Sequence, residues 1–95
     1  KFDEAIEAIK KSIALKPNDA EAYSNLGVAF KDQGKLDEAI EAHKKSILLK
    51  PYRAEVYNNL GNTLKEQGRL DQALETYNKA ISLKPDYANA YYYQY

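Results

Sequence analysis

The 95-residue sequence contains no cysteine, a single histidine, three prolines and four glycines. Without cysteine the chain forms no disulfide and offers no thiol chemistry, although this absence does not identify a compartment. So few prolines and glycines leave no linker or low-complexity segment. Fourteen basic and fourteen acidic residues cancel, and no apolar run approaches the roughly 18 residues that span a bilayer. We therefore expect neither nucleic acid nor membrane as a partner, and we expect a folded segment of a longer protein.

What the sequence does contain is a repeat. The phrase at residues 24–34 reads SNLGVAFKDQG, and it returns at residues 58–68 as NNLGNTLKEQG. Between residues 20–53 and 54–87, 18 of the 34 aligned positions are identical, and Pro17, Pro51 and Pro85 keep the same spacing. A period between about 20 and 50 residues indicates a repeat array.

Each repeat is predicted to be helical. Apolar and small residues recur at i, i+3, i+4 and i+7, which is the spacing of one helix face, and no segment alternates with period two. The first helix of each repeat carries Tyr23, Leu26, Gly27 and Phe30, and then Tyr57, Leu60, Gly61 and Leu64. The second carries Ala39, Ile40, His43 and Ile47, and then Ala73, Leu74, Tyr77, Ala80 and Ile81.

The helix ends are also predicted locally. Gly34 and Gly68 stand where a helix ends in a left-handed residue. Asp37 and Asp71 are then expected to cap the second helix of each repeat. Each second helix closes at the sequence Leu-Lys-Pro, because proline cannot continue the hydrogen-bond ladder.

Small residues at fixed positions predict a close contact within each helix pair. Gly61 on the first helix and Ala73 on the second are expected to let two backbones approach, and Gly27 and Ala39 repeat this arrangement. Larger residues there would overpack the interface. One pair cannot bury its apolar stripe alone, so neighbouring pairs must stack.

These residues together resemble the tetratricopeptide repeat (TPR) family, at that family's 34-residue period. The pattern Tyr23-x-x-Leu26-Gly27-x-x-Phe30, followed by Ala39 and Pro51, recurs one period later. The resemblance implies an all-α, right-handed α-solenoid of antiparallel helix-turn-helix repeats. Residues 1–95 then form a single TPR segment: 1–19 the second helix of a preceding repeat, 20–53 and 54–87 complete repeats, and 88–95 the start of a further first helix.

Catalysis is not predicted. Asp37, Glu38 and Glu41 could supply an acid and a base, but a cap and a Glu41–Lys45 surface pair explain such clusters better. His43, in a slot that Ile9 and Tyr77 fill in the other repeats, is expected to pack rather than to bind metal. No glycine-rich phosphate motif is present. We expect a protein that is not an enzyme and that carries no cofactor.

The resemblance places peptide binding on the first helices, which line the concave face of TPR superhelices. Asn25 and Asn59, 34 residues apart, resemble the asparagine ladder of the TPR arm of O-linked N-acetylglucosamine transferase. An amide both donates and accepts, so it can bind a peptide backbone; solvation of an exposed helix is the alternative. Carried over by position, the candidate peptide-binding residues are Glu21, Asn25, Val28, Lys31, Glu55, Asn58, Asn59, Asn62 and Lys65.

A second TPR mode, a basic clamp for acidic chaperone tails, is not expected. The basic clamp positions of the last helix correspond here to Asn89 and Tyr93, and Glu21 and Glu55 occupy the earlier equivalents of Asn89. An acidic tail would meet like charge there.

The sequence therefore predicts a protein-interaction scaffold whose partner is a protein or an extended peptide. Two alternatives remain: the substrate-recruiting TPR arm of a larger enzyme such as a glycosyltransferase, and a self-assembling structural module. Self-association head to tail would use exposed apolar residues at the two ends of the chain, which are Phe2, Ile9, Tyr92, Tyr93 and Tyr95.

Overall fold

A computed structural model describes residues 2–84 of the chain. The described residues form helices and connecting turns, with no strand, so the all-α helical repeat fold is confirmed. The helices are α1 (Phe2–Leu15), α2 (Ala20–Asp32), α3 (Leu36–Leu49), α4 (Ala54–Glu66) and α5 (Leu70–Leu83). Helix α2 packs against α3 and α4 against α5, while α1 packs on α2 and α3 on α4.

The first helix of each pair ends at glycine, as predicted. Gly34 and Gly68 have φ of 84° and 83°, which an L side chain rarely adopts. Around Gly34, the Lys35 N–H donates to the Phe30 carbonyl and the Gly34 N–H to the Lys31 carbonyl, both at 2.9 Å. These two hydrogen bonds form the Schellman motif, which gives hydrogen-bond partners to carbonyls that would otherwise have none at the helix end.

The predicted helix ends before proline are confirmed, but the prediction that Asp37 and Asp71 are the N-caps of the second helices is wrong. Helices α3 and α5 end at Leu49 and Leu83, each two residues before a proline. Their N-cap residues are Lys35 and Arg69, which make no side-chain cap bond. Asp37 lies inside the first turn of α3, where its negative charge interacts favourably with the helix dipole.

Asp37 instead joins two helices. Its Oδ1 accepts a hydrogen bond from Gln67 Nε2, at the end of α4, at 2.6 Å. The same bond recurs one period earlier, where Gln33 donates to Asp3. Each bond ties the end of a first helix to the start of the second helix before it in the chain, so it fixes how successive helices stack.

The core runs along the helix interfaces in successive clusters. Ile6 of α1 packs with Leu26 and Ala29 of α2, and Ile9 packs against this cluster in a half-buried position. A second group brings together Ile40, Leu60, Leu64, Ala73 and Tyr77 from α3, α4 and α5.

One predicted core residue, Leu74, is 40% exposed, although its equivalent Ile40 is 3% exposed. Helix α4 covers Ile40, whereas no helix within residues 2–84 packs on the corresponding side of α5.

The glycines of the first helices make room for a ring rather than for a backbone. A Cβ built on Gly27 would lie 2.6 Å from Cε1 of His43, and one on Gly61 would lie 2.5 Å from Cε1 of Tyr77. The small residue is therefore required, as predicted, but the large side chain that fills its space comes from the facing second helix.

Three residues predicted to mediate self-association, Tyr92, Tyr93 and Tyr95, lie outside the described residues, as does the predicted helix start at 88–95.

Candidate functional site

The predicted site residues lie on two neighbouring helices. Helices α2 and α4 contact each other, and residues spaced by three and four positions share one side of a helix. Those spacings produce two stripes, which we call the first-helix face. It consists of Glu21, Asn25, Val28 and Lys31 on α2, and of Glu55, Asn59, Asn62 and Lys65 on α4.

Most of this face reaches solvent, and one predicted residue does not. Asn25 is exposed, Asn59 and Asn62 are half-buried, and Val28 is 39% exposed. Asn58 is only 3% exposed, so its amide is not offered to a peptide at the surface. One residue along a helix turns the side chain by about 100°, which carries position 58 from the face into the interior.

Charged groups connect the two helices at one end of the face. Lys31 Nζ of α2 lies 3.6 Å from Glu66 Oε2 of α4, with 32% and 52% of the two side chains exposed. At the other end Arg53 lies 3.5 Å from Glu55. The face therefore carries both positive and negative side chains and does not form a purely basic clamp.

A cleft lies beside the Lys31–Glu66 pair. It has a volume of about 270 Å³ and is lined by Lys31, Asn62, Lys65 and Glu66. Asn62 is anchored from below, because the buried Tyr77 hydroxyl of α5 donates to its Oδ1 at 2.5 Å. Sequence reasoning placed Tyr77 in the core and missed this bond, although the paired change from Val28 and His43 to Asn62 and Tyr77 was a signal for it.

His43 is a packing residue, as predicted. It is fully buried, and neither ring nitrogen has a hydrogen-bond partner among the described residues. Burial, and secondarily the nearby Lys31 charge, lower the pKa of His43 to about 4, so the ring is neutral at pH 7. In residues 2–84 no three His, Cys, Asp or Glu residues converge to hold a metal ion.

A second surface opens between α2 and α3. Its floor is apolar, with Tyr23, Leu26, Phe30 and Ala42, and its volume is about 400 Å³. Charged residues, Asp37, Glu38, Glu41 and Lys45, form the rim. Lys45 Nζ lies 5.9 Å from the centre of the Tyr23 ring. The ion pairs among the described residues do not include Glu41, so the predicted Glu41–Lys45 surface pair does not form. We call this surface the outer groove.

None of the helices in residues 2–84 is long and apolar enough to cross a membrane.

Comparison with solved structures identifies similar repeat proteins. MamA is 36% identical with a TM-score of 0.91, over 98% of this chain and 54% of MamA. YrrB, described as a TPR protein with an unusual peptide-binding site, is 28% identical with a TM-score of 0.93, over 98% of this chain and 48% of YrrB. This chain thus spans about half the length of either protein.

The TPR region of an enzyme is also similar. The O-GlcNAc transferase of Thermobaculum terrenum is 26% identical with a TM-score of 0.89, over 94% of this chain and 17% of that enzyme. No curated protein sequence matches the chain. A family model described as Tetratricopeptide repeat matches residues 54–87, and one described as TPR repeat matches residues 1–34 and 29–68. The chain belongs to the tetratricopeptide repeat family.

Proposed function

We propose that the first-helix face binds an extended peptide segment of a partner protein, chiefly through the peptide backbone. TPR repeats are generally protein-interaction modules without catalytic activity, and the similar protein YrrB has a peptide-binding site. The observation that carries the proposal is that Asn25 and Asn59 lie one repeat apart on contacting helices, with Asn25 exposed and Asn59 half-buried.

The chemistry of this face suits a backbone more than a particular side chain. Each amide offers an acceptor oxygen and two N–H donors, which match the N–H and C=O of an extended strand. Val28 adds an apolar contact between the polar positions. Binding through backbone groups gives broad sequence tolerance, as in other modes of peptide recognition that use main-chain hydrogen bonds.

Peptide selection tests the proposal directly. A phage-displayed library of random 12-residue peptides is selected against the 95-residue chain, and the best peptide is titrated into ¹⁵N-labelled protein. We expect amide shift changes to cluster on α2 and α4. Changes confined to the outer groove, or to α5, would place the binding site elsewhere and overturn the proposal.

A modified peptide separates backbone recognition from side-chain recognition. Methylation of single backbone nitrogens removes one donor each, and alanine substitution removes one side chain. If the asparagines bind the backbone, methylation at two or more central positions weakens binding more than any alanine substitution does. The opposite ranking would show that side chains carry the affinity.

A second candidate function is favoured by the match to O-GlcNAc transferase. The same face would then recruit protein substrates to a catalytic domain elsewhere in the parent protein. A glycosyltransferase domain in the full-length sequence would establish this role, and peptide binding by the first-helix face would be common to both.

A further inference from the structure

The outer groove contains two aromatic rings whose faces are open to cations. Tyr23 and Phe30 are half-buried and form part of its floor. Lys45 Nζ lies 5.9 Å from the centre of the Tyr23 ring, and Lys10 Nζ of α1 lies 5.9 Å from the centre of the Phe30 ring. Attraction between a cation and a ring extends to about 6 Å. Both lysines therefore lie at the outer limit of this attraction, and a cation that approaches more closely can replace them.

The rim of the outer groove is mainly acidic. Three carboxylates, those of Asp37, Glu38 and Glu41, face one ammonium group, that of Lys45, and all four residues are exposed. Asp37 already accepts a hydrogen bond from Gln67 at 2.6 Å. Glu38 and Glu41 are three residues apart, so they lie on the same side of α3. The charge of this rim is complementary to a positively charged group.

The combination of an apolar floor, aromatic rings and carboxylates fits arginine better than lysine. Leu26 and Ala42 complete the floor of a groove of about 400 Å³, along which the three methylene groups of an arginine can lie. The planar guanidinium stacks on aromatic faces and binds a carboxylate through two parallel N–H bonds. The ammonium of lysine is more strongly hydrated and does not have this planar geometry.

We propose that the outer groove is an interaction surface for a basic segment of a partner protein, which inserts an arginine side chain. The guanidinium stacks on the ring of Tyr23 or Phe30. It also pairs with the carboxylate of Glu38 or Glu41, in place of the contacts that the rings make with lysines of this chain.

This surface is separate from the first-helix face. Two residues along a helix turn the side chain by about 200°. Tyr23 and Phe30 therefore lie on the side of α2 opposite Glu21 and Val28, which belong to the first-helix face. A partner in the outer groove does not compete with a peptide on that face.

The second repeat lacks two parts of this arrangement. At the positions of Phe30 and Glu38 it has Leu64 and Gln72, so one aromatic ring and one carboxylate are missing. Leu64 is also only 4% exposed. We therefore expect one arginine site in the first repeat rather than one in each repeat.

Three small probes test the site without a known partner. Acetyl-Gly-Arg-Gly-amide is compared with the same peptide containing citrulline, which has nearly the shape of arginine without its charge, and with the lysine peptide. Each is titrated at millimolar concentration into ¹⁵N-labelled chain at pH 7 and low ionic strength. The arginine probe should shift the backbone amides of Tyr23, Phe30, Glu38 and Glu41 at least about threefold more than either other probe does.

Substitutions with opposite expected effects separate the site from a loss of folding. Glu41→Gln removes a carboxylate and should weaken binding of the arginine probe about threefold. Lys45→Gln removes the competing ammonium group and should strengthen it about twofold. Phe30→Leu changes no charge and should weaken binding about threefold, because it removes one ring. The second repeat already has leucine at this position, so the fold accommodates it.

The second repeat supplies a matched control for each change of charge. Glu75→Gln and Lys79→Gln make the same two changes one period later, on the exposed surface of α5. Both variants should bind the arginine probe as the unmodified chain does. If the attraction depended only on the net charge of the chain, Glu41→Gln and Glu75→Gln would have equal effects.

Equal shifts from the arginine and citrulline probes, or equal effects of Glu41→Gln and Glu75→Gln, would overturn the arginine site. A lysine probe that binds as well as the arginine probe would contradict the choice of arginine. None of these results bears on the first-helix face, because its test is a selected peptide that maps to α2 and α4. Conversely, loss of that peptide site would leave the response of the outer groove to arginine unchanged.

Discussion

The ring of Tyr77 lies against the backbone of Gly61, and a Cβ on Gly61 would come within 2.5 Å of Tyr77 Cε1 and 2.7 Å of Cδ1. Real Cβ atoms do not approach a carbon so closely. Tyr77 is 1% exposed and is surrounded by Ile40, Leu60 and Leu64. The ring therefore has no space into which it could move, and the interface between α4 and α5 depends on glycine.

Replacement of Gly61 should destabilise the fold in proportion to the added volume. Gly61→Leu is expected to reduce the free energy of unfolding by about 3 kcal/mol or more through overpacking. Gly61→Ala should still destabilise, although alanine is about 1 kcal/mol better than glycine within a helix. Urea unfolding followed by circular dichroism measures both.

Ser82→Ala on the exposed side of α5 provides the control, because it changes helix propensity and no packing. A free energy of unfolding that is unchanged in Gly61→Leu would show that the helix interface is misplaced.

His43 should make the stability of the chain depend on pH. The unfolded imidazole has a pKa of 6.5, whereas in the folded chain burial, followed by the Lys31 charge, lowers the pKa to about 4. As the pH falls below 6.5, the unfolded state binds a proton that the folded state does not accept until about pH 4. Stability is therefore complete above pH 6.5 and is lost below it, by up to about 3 kcal/mol at pH 4.

Replacement of this histidine isolates its contribution to the pH dependence of stability from that of every other group in the chain. The free energy of unfolding is measured between pH 7 and pH 4 for the unmodified chain and for His43→Phe. The difference between the two should grow steadily in favour of His43→Phe as the pH falls. Parallel profiles would mean that His43 does not control acid stability.

The difference between the repeats predicts that the hydrogen bond of the second repeat can be introduced into the first. Val28→Asn with His43→Tyr would rebuild in the first repeat the bond that Tyr77 makes with Asn62. The hydroxyl and the amide should then stabilise each other, with a coupling free energy of about 1 kcal/mol in a double-mutant cycle. Unfolding free energies of the two single variants and the double variant give this coupling, and strictly additive effects would contradict the transplanted bond.

Local signals in the sequence were sufficient for the helices and for their C-terminal ends. Glycine and proline act within a few residues, so the ends at Gly34, Gly68, Leu49 and Leu83 were predictable from the chain alone. The repeat also identified buried positions within the two complete repeats, with Leu74 as an exception. Ala39 and Ala73 are 0% and 2% exposed.

Contacts between helices were less predictable because a side chain's partner is not local. Asp37 was expected to cap its own helix, but its partner Gln67 lies 30 residues away. Asp37 and Gln67 each have an equivalent one repeat earlier, but this recurrence does not indicate that the two side chains contact each other. Asn58 was placed on the face by its position in the family resemblance, whereas its side chain lies about 100° around the helix from Asn59 and is 3% exposed.

The asparagine positions make a prediction about affinity. Replacing Asn25 and Asn59 together by alanine should weaken a selected peptide at least about tenfold, which is about 1.4 kcal/mol. Lys45→Ala, in the outer groove, should change the affinity little. Fluorescence anisotropy with a labelled peptide measures both, and equal losses from the two surfaces would remove the case for an asparagine ladder.

The uncovered side of α1 predicts that the 95-residue chain, studied by itself, associates head to tail. Ala5 of α1 is exposed, whereas its equivalents Ala39 and Ala73 are buried against the first helix of their own repeat. No helix within residues 2–84 covers that side of α1. Residues 88–95 carry the sequence of a first-helix start, with several tyrosines. In one chain they could pack on α1 of the next, and a contact between unlike surfaces extends rather than closes.

Light scattering on a dilution series measures this association. The average mass should rise with concentration in the micromolar range and fall when residues 91–95 are deleted. Ala5→Glu should also reduce the mass, because it buries a charge in the contact. Ala14→Glu places the same charge on the opposite, exposed side of α1 and should have little effect. A constant monomer mass up to high micromolar concentration, or equal effects of the two glutamates, would show that the ends do not meet.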